Sequence, residues 1–186
     1  MTVVGAILAA GSSSRLGRPK QLVPVGGEPL VRRTARIALA SPCAEIAVVL
    51  GAATDDVARA LDGLSVALLP NPAWSEGVAS SIRTAAAWAR ARSASAVLLL
   101  VCDQPRLSAE HLGALLAEHA RTGGSVGSRY RDIVGVPAVF PARSFDALAR
   151  LTGDRGARAL LGDAAAIPWE DGAIDVDSEA DIAALE

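Results

Sequence analysis

The basic residues near the start of the 186-residue sequence are arranged to hold an anion. Lys20 is the only lysine, all other basic residues being arginines, and it ends a segment rich in glycine, serine and arginine that begins at Ala10. The backbone N–H groups of such a loop, here from Gly11 to Ser14, can form an anion-binding nest. Arg15 can place two N–H groups on phosphate oxygens, and Lys20 can act on them as a compact charge. We therefore expect the loop to bind a nucleoside triphosphate.

An acidic residue beyond the apolar run Val97–Val101 is the second candidate for chemistry. Asp103 follows this run closely, and Pro105 braces the chain after it. One or two carboxylates, together with phosphate oxygens and water, are the ligands that Mg²⁺ prefers. Taken alone, Asp103 also fits the N-cap of a helix, since Pro105 can begin one. Together with the cationic loop, it predicts magnesium-dependent nucleotide chemistry.

Two common nucleotide-binding fingerprints are absent from the first loop. A Walker A loop has the pattern G-x-x-x-x-G-K-[ST], whereas here five residues separate Gly11 from Gly17 and Arg18 follows. The dinucleotide pattern G-x-G-x-x-G is also absent after the first apolar run. A P-loop kinase and a Rossmann dehydrogenase are therefore both disfavoured.

The apolar pattern alternates between strands and helices. Uniformly apolar runs are typical of strands covered by helices on both faces, and such runs occupy Val3–Ala9, Ile46–Leu50, Val66–Leu69 and Val97–Val101. Helices are expected at Leu30–Ala40, Asp55–Leu61, Val78–Arg92 and Ser108–Ala120. Beyond Gly123 a less regular pattern predicts a strand at Val136–Phe140, short helices at Ser144–Leu151 and Gly156–Leu161, and an extended segment at Ala173–Val176.

Repeated strand–helix–strand units predict a single α/β domain over residues 1–186, with a Rossmann-like, mainly parallel sheet in three layers. Ligands of open α/β sheets lie beyond the carboxyl ends of the strands, so the first loop and Asp103 are expected to be neighbours. Ser108 and Thr54 are expected to cap helices. Ser178 and Asp181 are expected to form a capping box for the last helix.

The composition disfavours several classes of partner. The formal net charge is −2 and there is no basic block, so a polymeric nucleic acid is not expected. Cys43 and Cys102 lie far apart, which predicts two buried reduced thiols and no zinc site. The apolar stretch Ala96–Val101 is far shorter than the ~20 residues of a membrane span, so we expect a cytoplasmic protein with no membrane partner. His111 and His119 fall on a polar helix and are expected at the surface.

Motifs spread over the whole chain match the pattern of a known family. The first is Leu8-Ala9-Ala10-Gly11-x-Ser13-x-Arg15-x-Gly17-x-Pro19-Lys20. The others are Asn71-Pro72-x-Trp74-x-x-Gly77-x-x-x-Ser81, Cys102-Asp103-Gln104-Pro105, Gly135-x-Pro137-x-x-Phe140, Gly153-Asp154-x-Gly156-Ala157-Arg158 and Asp175-Val176-Asp177-Ser178-x-x-Asp181. Together they resemble the MobA-like nucleotidyltransferases, and most closely the molybdenum cofactor cytidylyltransferase branch.

The resemblance implies a fold similar to the nucleotide-diphospho-sugar transferases and a Mg²⁺-dependent transfer of NMP from an NTP to a phosphorylated acceptor, with release of pyrophosphate. It implies catalytic roles for Arg15, Lys20 and Asp103, and metal binding by Asp103 and Asp177, with Asp175 as the alternative second carboxylate. The residues it assigns to the nucleotide are Leu8, Ala9, Ala10, Gly11, Ser12, Ser13, Arg15, Lys20, Asn71, Gly77 and Ser81. It assigns Gln104, Pro137 and Arg158 to the acceptor.

The branch that the chain resembles also predicts its substrates. That branch carries Leu-Ala-Ala-Gly where the guanosine-using branch carries Leu-Ala-Gly-Gly, so Ala10 favours CTP, its methyl group narrowing the base pocket. The implied acceptor is a molybdopterin-type cofactor, and the apo-enzyme of a molybdenum hydroxylase is a further implied partner.

One departure from the family pattern keeps other acceptors open. Molybdopterin-specific enzymes often have Gly-His-Pro where this chain has Gly135-Val136-Pro137, and valine offers neither a hydrogen bond nor a proton. The alternatives are a nucleotidyltransferase that acts on a sugar phosphate or another phosphorylated metabolite, and a non-catalytic chaperone that delivers cofactor to an apo-oxidoreductase.

Overall fold

A seven-stranded mixed sheet lies at the centre of the structure, a computed structural model that describes residues 1–13 and 16–184. The strands are β1 (Val3–Leu8), β2 (Pro24–Val25), β3 (Glu28–Pro29), β4 (Ile46–Leu50), β5 (Ala67–Pro70), β6 (Ala96–Val101), β7 (Val126–Tyr130), β8 (Ile133–Pro141) and β9 (Ala165–Pro168). The helices are α1 (Leu30–Leu39), α2 (Thr54–Ala60), α3 (Val78–Ala91), α4 (Ala109–Thr122), α5 (Phe145–Ala149) and α6 (Glu179–Ala183).

The strand order in the sheet is β5-β4-β1-β6-β8-β7-β9. Strands β5, β4, β1 and β6 pair in parallel, whereas β8 pairs antiparallel with both β6 and β7. β9 returns to pair in parallel with β7. The predicted mainly parallel α/β sheet is therefore confirmed, with one reversed strand. β2 and β3 form a separate small hairpin.

Helices cover both faces of the sheet, because successive strand residues point to opposite sides. Ile7 and Leu98 pack on one side with residues of α1, α2 and α4. Val4 and Leu99 pack on the other side with residues of α3 and α5. This explains why β4 and β6 are apolar at nearly every position: neither face of these strands meets water.

The carboxyl ends of β1 and β6 lie side by side, because Leu8 is paired with Val101. The loop that follows β1 is thereby brought next to Asp103, as the sequence predicts. The reversed strand β8 runs back along β6, with Leu99 opposite Ala138, so Val136 and Pro137 reach the same edge.

The predicted helix caps have mixed outcomes. Ser108 accepts a hydrogen bond from the backbone N–H of His111 at the start of α4, as predicted. Ser178 and Asp181 form the predicted capping box of α6. The prediction for Thr54 is wrong: its hydroxyl donates to the carbonyl of Gly51, and it forms no cap with the helix it begins.

Several predictions in the second half of the chain are incomplete or wrong. An extended segment was expected at Ala173–Val176, but Ala173 is the last residue of a 3-10 turn, Glu170–Ala173. β7 was not predicted because Gly127, Ser128 and Arg129 interrupt its apolar pattern. β9 was missed as well, since alanine carries little strand signal.

The two histidines are buried, and the prediction of surface positions is wrong. His111 is 7% exposed, stacks on Trp169 and hydrogen-bonds to Ser128 through Nε2, at 2.7 Å. His119 is 2% exposed, and its Nδ1 lies 2.7 Å from the carbonyl oxygen of Gly124. One ring nitrogen of each histidine thus has a polar partner inside the fold.

The two cysteines are both free thiols; Cys102 is buried and Cys43 is half-buried. None of the helices in the described ranges has the length and apolar character needed to cross a bilayer.

Candidate active site

A cavity of about 490 Å³ opens at the carboxyl ends of β1 and β6. The predicted site residues that line it are Leu8, Ala10, Gly11, Ser12, Lys20, Gly77, Ser81 and Asp103. Gln21, Trp74 and Asp154 also line it. The sequence therefore located the cavity and most of its wall.

Lys20 lies between two carboxylates in this cavity. Its Nζ is 2.5 Å from Oδ2 of Asp103 and 3.0 Å from Oδ1 of Asp177. Burial on its own would lower the pKa of Lys20, but the charge of Asp103 and the hydrogen bonds to Asp103 and Asp177 outweigh it and raise the pKa above its ordinary value. The ammonium is therefore held in its charged form at any physiological pH.

The segment after β9 is bonded to the backbone of Asp103, and this bond places Asp177 next to Lys20. The N–H of Val176 donates to the carbonyl of Asp103 at 2.9 Å. Val176 is fully buried against Val23 and Leu30, which follow Lys20 in the chain. One hydrogen bond and one small apolar cluster thus fix three distant segments around the same ammonium.

Asp175 lies close enough to this cluster to sense its charge. Burial raises the pKa of its carboxyl, and the negative charges of Asp177 and Asp103 raise it further. Asp177, by contrast, contacts Lys20 directly. Of the two carboxylates considered from sequence, Asp177 is the one placed opposite Asp103.

The loop after β1 is folded against the residues that follow it. Ser13 has a positive φ of 54° and accepts a hydrogen bond from the backbone N–H of Lys20 at 2.9 Å. Ala9 is buried on the opposite face of the sheet from Ala10 and does not line the cavity. Ser14 and Arg15 lie outside the described residues, so the role predicted for Arg15 stays a prediction.

The start of α3 forms the opposite wall of the cavity. Gly77 has φ 107°, and a Cβ there would lie 2.4 Å from Oδ1 of Asp154 and 2.6 Å from the carbonyl oxygen of Gly153. Only glycine allows this close approach. Ser81 lies one turn further along α3 and faces the cavity.

The structure does not bring Asn71 to the cavity. Asn71 is 4% exposed, and its side-chain amide donates to the hydroxyls of Ser80 and Ser81. Its Oδ1 accepts from the N–H of Ala73. Asn71 therefore orients Ser81, and direct contact with a nucleotide stays a prediction.

The residues assigned to the acceptor lie outside the lining of the cavity. Gln104 directly follows Asp103, Pro137 lies within β8, and Arg158 lies in a 3-10 turn, Ala157–Leu160. Gln104 donates through Nε2 to the carbonyls of Val136 and Gly172, both at 3.2 Å. Tyr130 donates to the same carbonyl of Val136 at 3.2 Å. Pro137 follows a cis peptide bond and is buried. These contacts tie β7 and β8 to Gln104, the residue that follows Asp103.

Arg158 is exposed but close to this group. Burial raises the pKa of the Tyr130 hydroxyl, and the positive charge of Arg158 opposes this rise. Arg158 therefore lies close enough to Tyr130 for its charge to act on the phenol.

Asp103 does not cap a helix. The chain from Asp103 to Leu107 is irregular, and α4 begins at Ala109 with Ser108 as its cap. The alternative that gave Asp103 a purely local role is therefore wrong.

The carboxylates fit a hard divalent cation chemically. Asp103 and Asp177 already converge on one positive charge, and oxygen donors of this kind suit Mg²⁺. Within residues 1–13 and 16–184 no group of three or more His, Cys, Asp or Glu side chains is ready to hold a metal. Mg²⁺ needs no such group where phosphate oxygens and water complete its shell.

Sequence reasoning missed Gln21, Tyr130 and Asp154. Gln21 follows Lys20 directly, and its proximity to the only lysine was the one signal available. Asp154 lies in a matched motif, but its position over Gly77 depends on the turn at Gly153. Tyr130 lies on a strand that the pattern did not predict.

The family comparison decides between the classes that the site allows. Residues 5–167 match the MobA-like NTP transferase domain. The chain belongs to this family. The predicted reaction class, nucleotidyl transfer, is therefore confirmed at the level of the family.

Relatives of the MobA-like chain carry different names. It is 36% identical over 168 residues to nicotine blue oxidoreductase of Paenarthrobacter nicotinovorans, covering 86% of this chain and 81% of the relative. It is 33% identical over 175 residues to molybdenum cofactor guanylyltransferase of Rhodobacter capsulatus, covering 91% and 86%.

A solved structure shares the whole fold. Rv0371c of Mycobacterium tuberculosis H37Rv superposes with a TM-score of 0.81 at 31% identity, covering 100% of this chain and 98% of that one. A manganese complex of Rv0371c superposes with a TM-score of 0.76 at 28% identity, with the same coverage.

Proposed function

We propose that this MobA-like chain transfers CMP from CTP to a molybdopterin-type cofactor and releases pyrophosphate. The observation that carries the proposal is the convergence of Ala10, Gly11 and Ser12 of the first loop with Lys20 and Asp103 in one cavity at the ends of β1 and β6. In-line attack on a phosphoanhydride requires preorganised donors and charges of this kind.

In the proposed reaction an oxygen of the acceptor phosphate attacks the α-phosphorus. A new P–O bond forms there, the bond to the β-phosphate oxygen breaks, and the electron pair leaves with pyrophosphate. The charge that builds on the leaving group is offset by Lys20, whose ammonium stays protonated. Backbone N–H groups of the loop hold the same oxygens, so the residues act by position and charge.

We assign the metal to Asp103 and Asp177. A bound Mg²⁺ would neutralise phosphate charge and polarise the α-phosphoryl group. The manganese complex of the M. tuberculosis relative supports a divalent cation in this fold. Because Lys20 pairs with both carboxylates, its ammonium has to leave them when a cation binds and is then available to the phosphates.

We assign the acceptor to the region beside the cavity that holds Gln104, Pro137 and Arg158, none of which lines the cavity itself. Arg158 supplies an exposed cation for an acceptor phosphate, and Gln104 donates to the carbonyl of Val136, next to Pro137. Val136 stands where a histidine occurs in the related pattern, so a sugar phosphate or other phosphorylated metabolite is the alternative acceptor.

The packing of Ala10 supports a pyrimidine base. Ala10 is 3% exposed, and a Cβ added to Gly51 would lie 2.4 Å from its carbonyl oxygen, so the chain is tightly packed here and favours a small base. The similarity to a relative named molybdenum cofactor guanylyltransferase, from R. capsulatus, supports GTP instead. GTP is therefore the second candidate nucleotide.

A redox reaction is suggested only by the name of the P. nicotinovorans relative. The thiol that lines this cavity, Cys102, is a poor redox group because burial raises its pKa to about 12. The Lys20–Asp103–Asp177 cluster suits phosphate and metal binding better, so we rank nucleotidyl transfer first.

Pyrophosphate release tests the proposal directly. The purified protein is incubated with Mg²⁺ and each of CTP, GTP, ATP and UTP, with molybdopterin-type cofactor, with a panel of sugar phosphates, or without acceptor. We expect release with CTP and the molybdopterin-type cofactor only. Ala10→Gly serves as the matched variant for the base wall, and we expect it to move the CTP:GTP preference toward GTP by roughly tenfold, the scale of one methyl group.

Each other outcome has a defined meaning. Release with GTP alone overturns the choice of base, and release with a sugar phosphate alone overturns the choice of acceptor. Tight nucleotide binding without release under any condition would support the chaperone alternative.

A further inference from the structure

Gln21 lies beside the loop after β1 and forms hydrogen bonds with its backbone. It is 1% exposed, and its Nε2 donates to the carbonyl of Ala9 at 2.8 Å and to the carbonyl of Gly11 at 2.7 Å. Its Oε1 lies 3.4 Å from the hydroxyl of Ser13. One buried amide thus contacts three residues of the loop.

These contacts fix the direction of the loop's N–H groups. In a planar trans peptide the C=O and the following N–H point in opposite directions. Because the carbonyls of Ala9 and Gly11 point toward Gln21, the N–H groups of Ala10 and Ser12 point away from it. Two parallel donors are thereby presented on one side of the loop.

Neither N–H has a partner among the described residues. Buried backbone donors rarely stay unpaired, and Ala10 is only 3% exposed. Ala10, Gly11 and Ser12 line the same cavity as Lys20. An anionic oxygen is the partner that parallel N–H groups next to an ammonium would bind.

We propose that Gln21 is a positioning residue that turns the Ala10 and Ser12 amides toward the polyphosphate of the substrate. This inference rests on the proposed function, since it needs a triphosphate in the cavity. Gln21 itself does not touch the phosphates; it acts through the peptide planes that it orients.

The probe is inorganic tripolyphosphate with Mg²⁺. It carries no base, so its Kd reports only on the binding of the phosphate groups. We expect Gln21→Met, which keeps the side-chain length and removes both donors, to raise the Kd for tripolyphosphate and for CTP by about tenfold or more, as misplaced donors do. Gln21→Asn, which keeps the amide but is one methylene shorter, should show a smaller rise. Binding of CMP, which lacks the β- and γ-phosphates, should change less than binding of CTP in both variants.

Arg32→Met is the matched control for lost stability. Arg32 also donates to two carbonyls two residues apart, those of Ala60 and Asp62, both at 2.9 Å and outside the cavity. Its substitution should lower the midpoint of thermal unfolding without changing the Kd for tripolyphosphate. A purely structural Gln21 would behave in the same way.

The outcomes separate the two claims. Wild-type Kd values in folded Gln21→Met and Gln21→Asn would overturn the positioning role and leave the proposed function standing. Failure of the wild-type protein to bind tripolyphosphate or any NTP would overturn both.

Discussion

At the scale of single residues, one ammonium faces two carboxylates, which leaves an excess of negative charge beside Lys20. The Lys20 ammonium stands between Asp103 and Asp177. If Mg²⁺ binds these two carboxylates, as we propose, it competes with the ammonium until phosphate gives Lys20 another partner. Metal binding and nucleotide binding are then interdependent.

Replacing Lys20 is expected to expose this competition. In Lys20→Met the two carboxylates lose their cation, so Mg²⁺ without nucleotide should raise the midpoint of thermal unfolding by roughly 2–4 °C, the shift that about 1 kcal/mol of binding gives a domain of this size. The wild-type protein should respond less, because Mg²⁺ must first displace the ammonium. Differential scanning fluorimetry at constant ionic strength measures both.

Two variants define the controls for this measurement. Lys20→Met combined with Asp103→Asn should lose the response to Mg²⁺, since one carboxylate is gone. Arg18→Gln removes a neighbouring cation that pairs with exposed Glu179 and should respond as the wild type does. Equal Mg²⁺ shifts in the wild type and Lys20→Met would show that Lys20 does not occupy the metal position.

At the scale of elements, a chain of buried hydrogen bonds connects α4 to β7 and β8. The hydroxyl of Ser128 on β7 donates to the carbonyl of Pro137 on β8 at 2.7 Å, so it accepts from Nε2–H of His111 on α4. His111 also stacks on Trp169 at a centroid distance of 4.6 Å. The bulge in the pairing of β7 with β8 lies at the same place, between Gly127 and Ser128.

Acid should weaken this connection. Burial lowers the pKa of His111 to about 4 from its ordinary value of 6.5. Between these two values the unfolded chain binds the proton and the folded chain does not, so the contribution of His111 is fully present above pH 6.5 and is lost as the pH falls toward 4. The free energy of unfolding should therefore fall by up to about 3 kcal/mol more in the wild type than in His111→Gln over this range. Denaturant unfolding at a series of pH values measures it, and parallel curves for the two proteins would refute it.

The burial of the two histidines was not predictable from the local sequence pattern. Alternation of apolar and polar residues predicted α4 correctly, but it could not reveal that β7 would cover one of the polar positions. The strand pattern of β7 is interrupted by Gly127 and Ser128. The bulge lies between these two residues, and Ser128 forms the hydrogen bond with His111. Tertiary contacts between distant segments carry this information, and local periodicity does not contain it.

At the scale of the whole molecule, the sequence predicts the edge of the sheet that carries the site. The apolar strands β1, β4 and β6 and the rule that ligands bind at their carboxyl ends placed the first loop beside Asp103, and the register of Leu8 with Val101 confirms it. The convergence of Asp177 was suggested by resemblance, whereas its physical cause, the docking of Val176 on Asp103, became visible only in three dimensions. Gln21 was not predicted, because a buried side chain that orients backbone groups leaves no pattern of spacing.

A crystal structure of the protein with Mg²⁺ and a non-hydrolysable CTP analogue tests the central claim most directly. We expect the phosphates to contact the backbone N–H groups of Ala10 and Ser12 and the ammonium of Lys20. The metal should lie about 2.0–2.1 Å from an oxygen of Asp103. The carbonyls of Ala9 and Gly11 should remain bonded to Gln21. A triphosphate bound away from the cavity between the Ala10–Ser13 loop and Asp103 would contradict it.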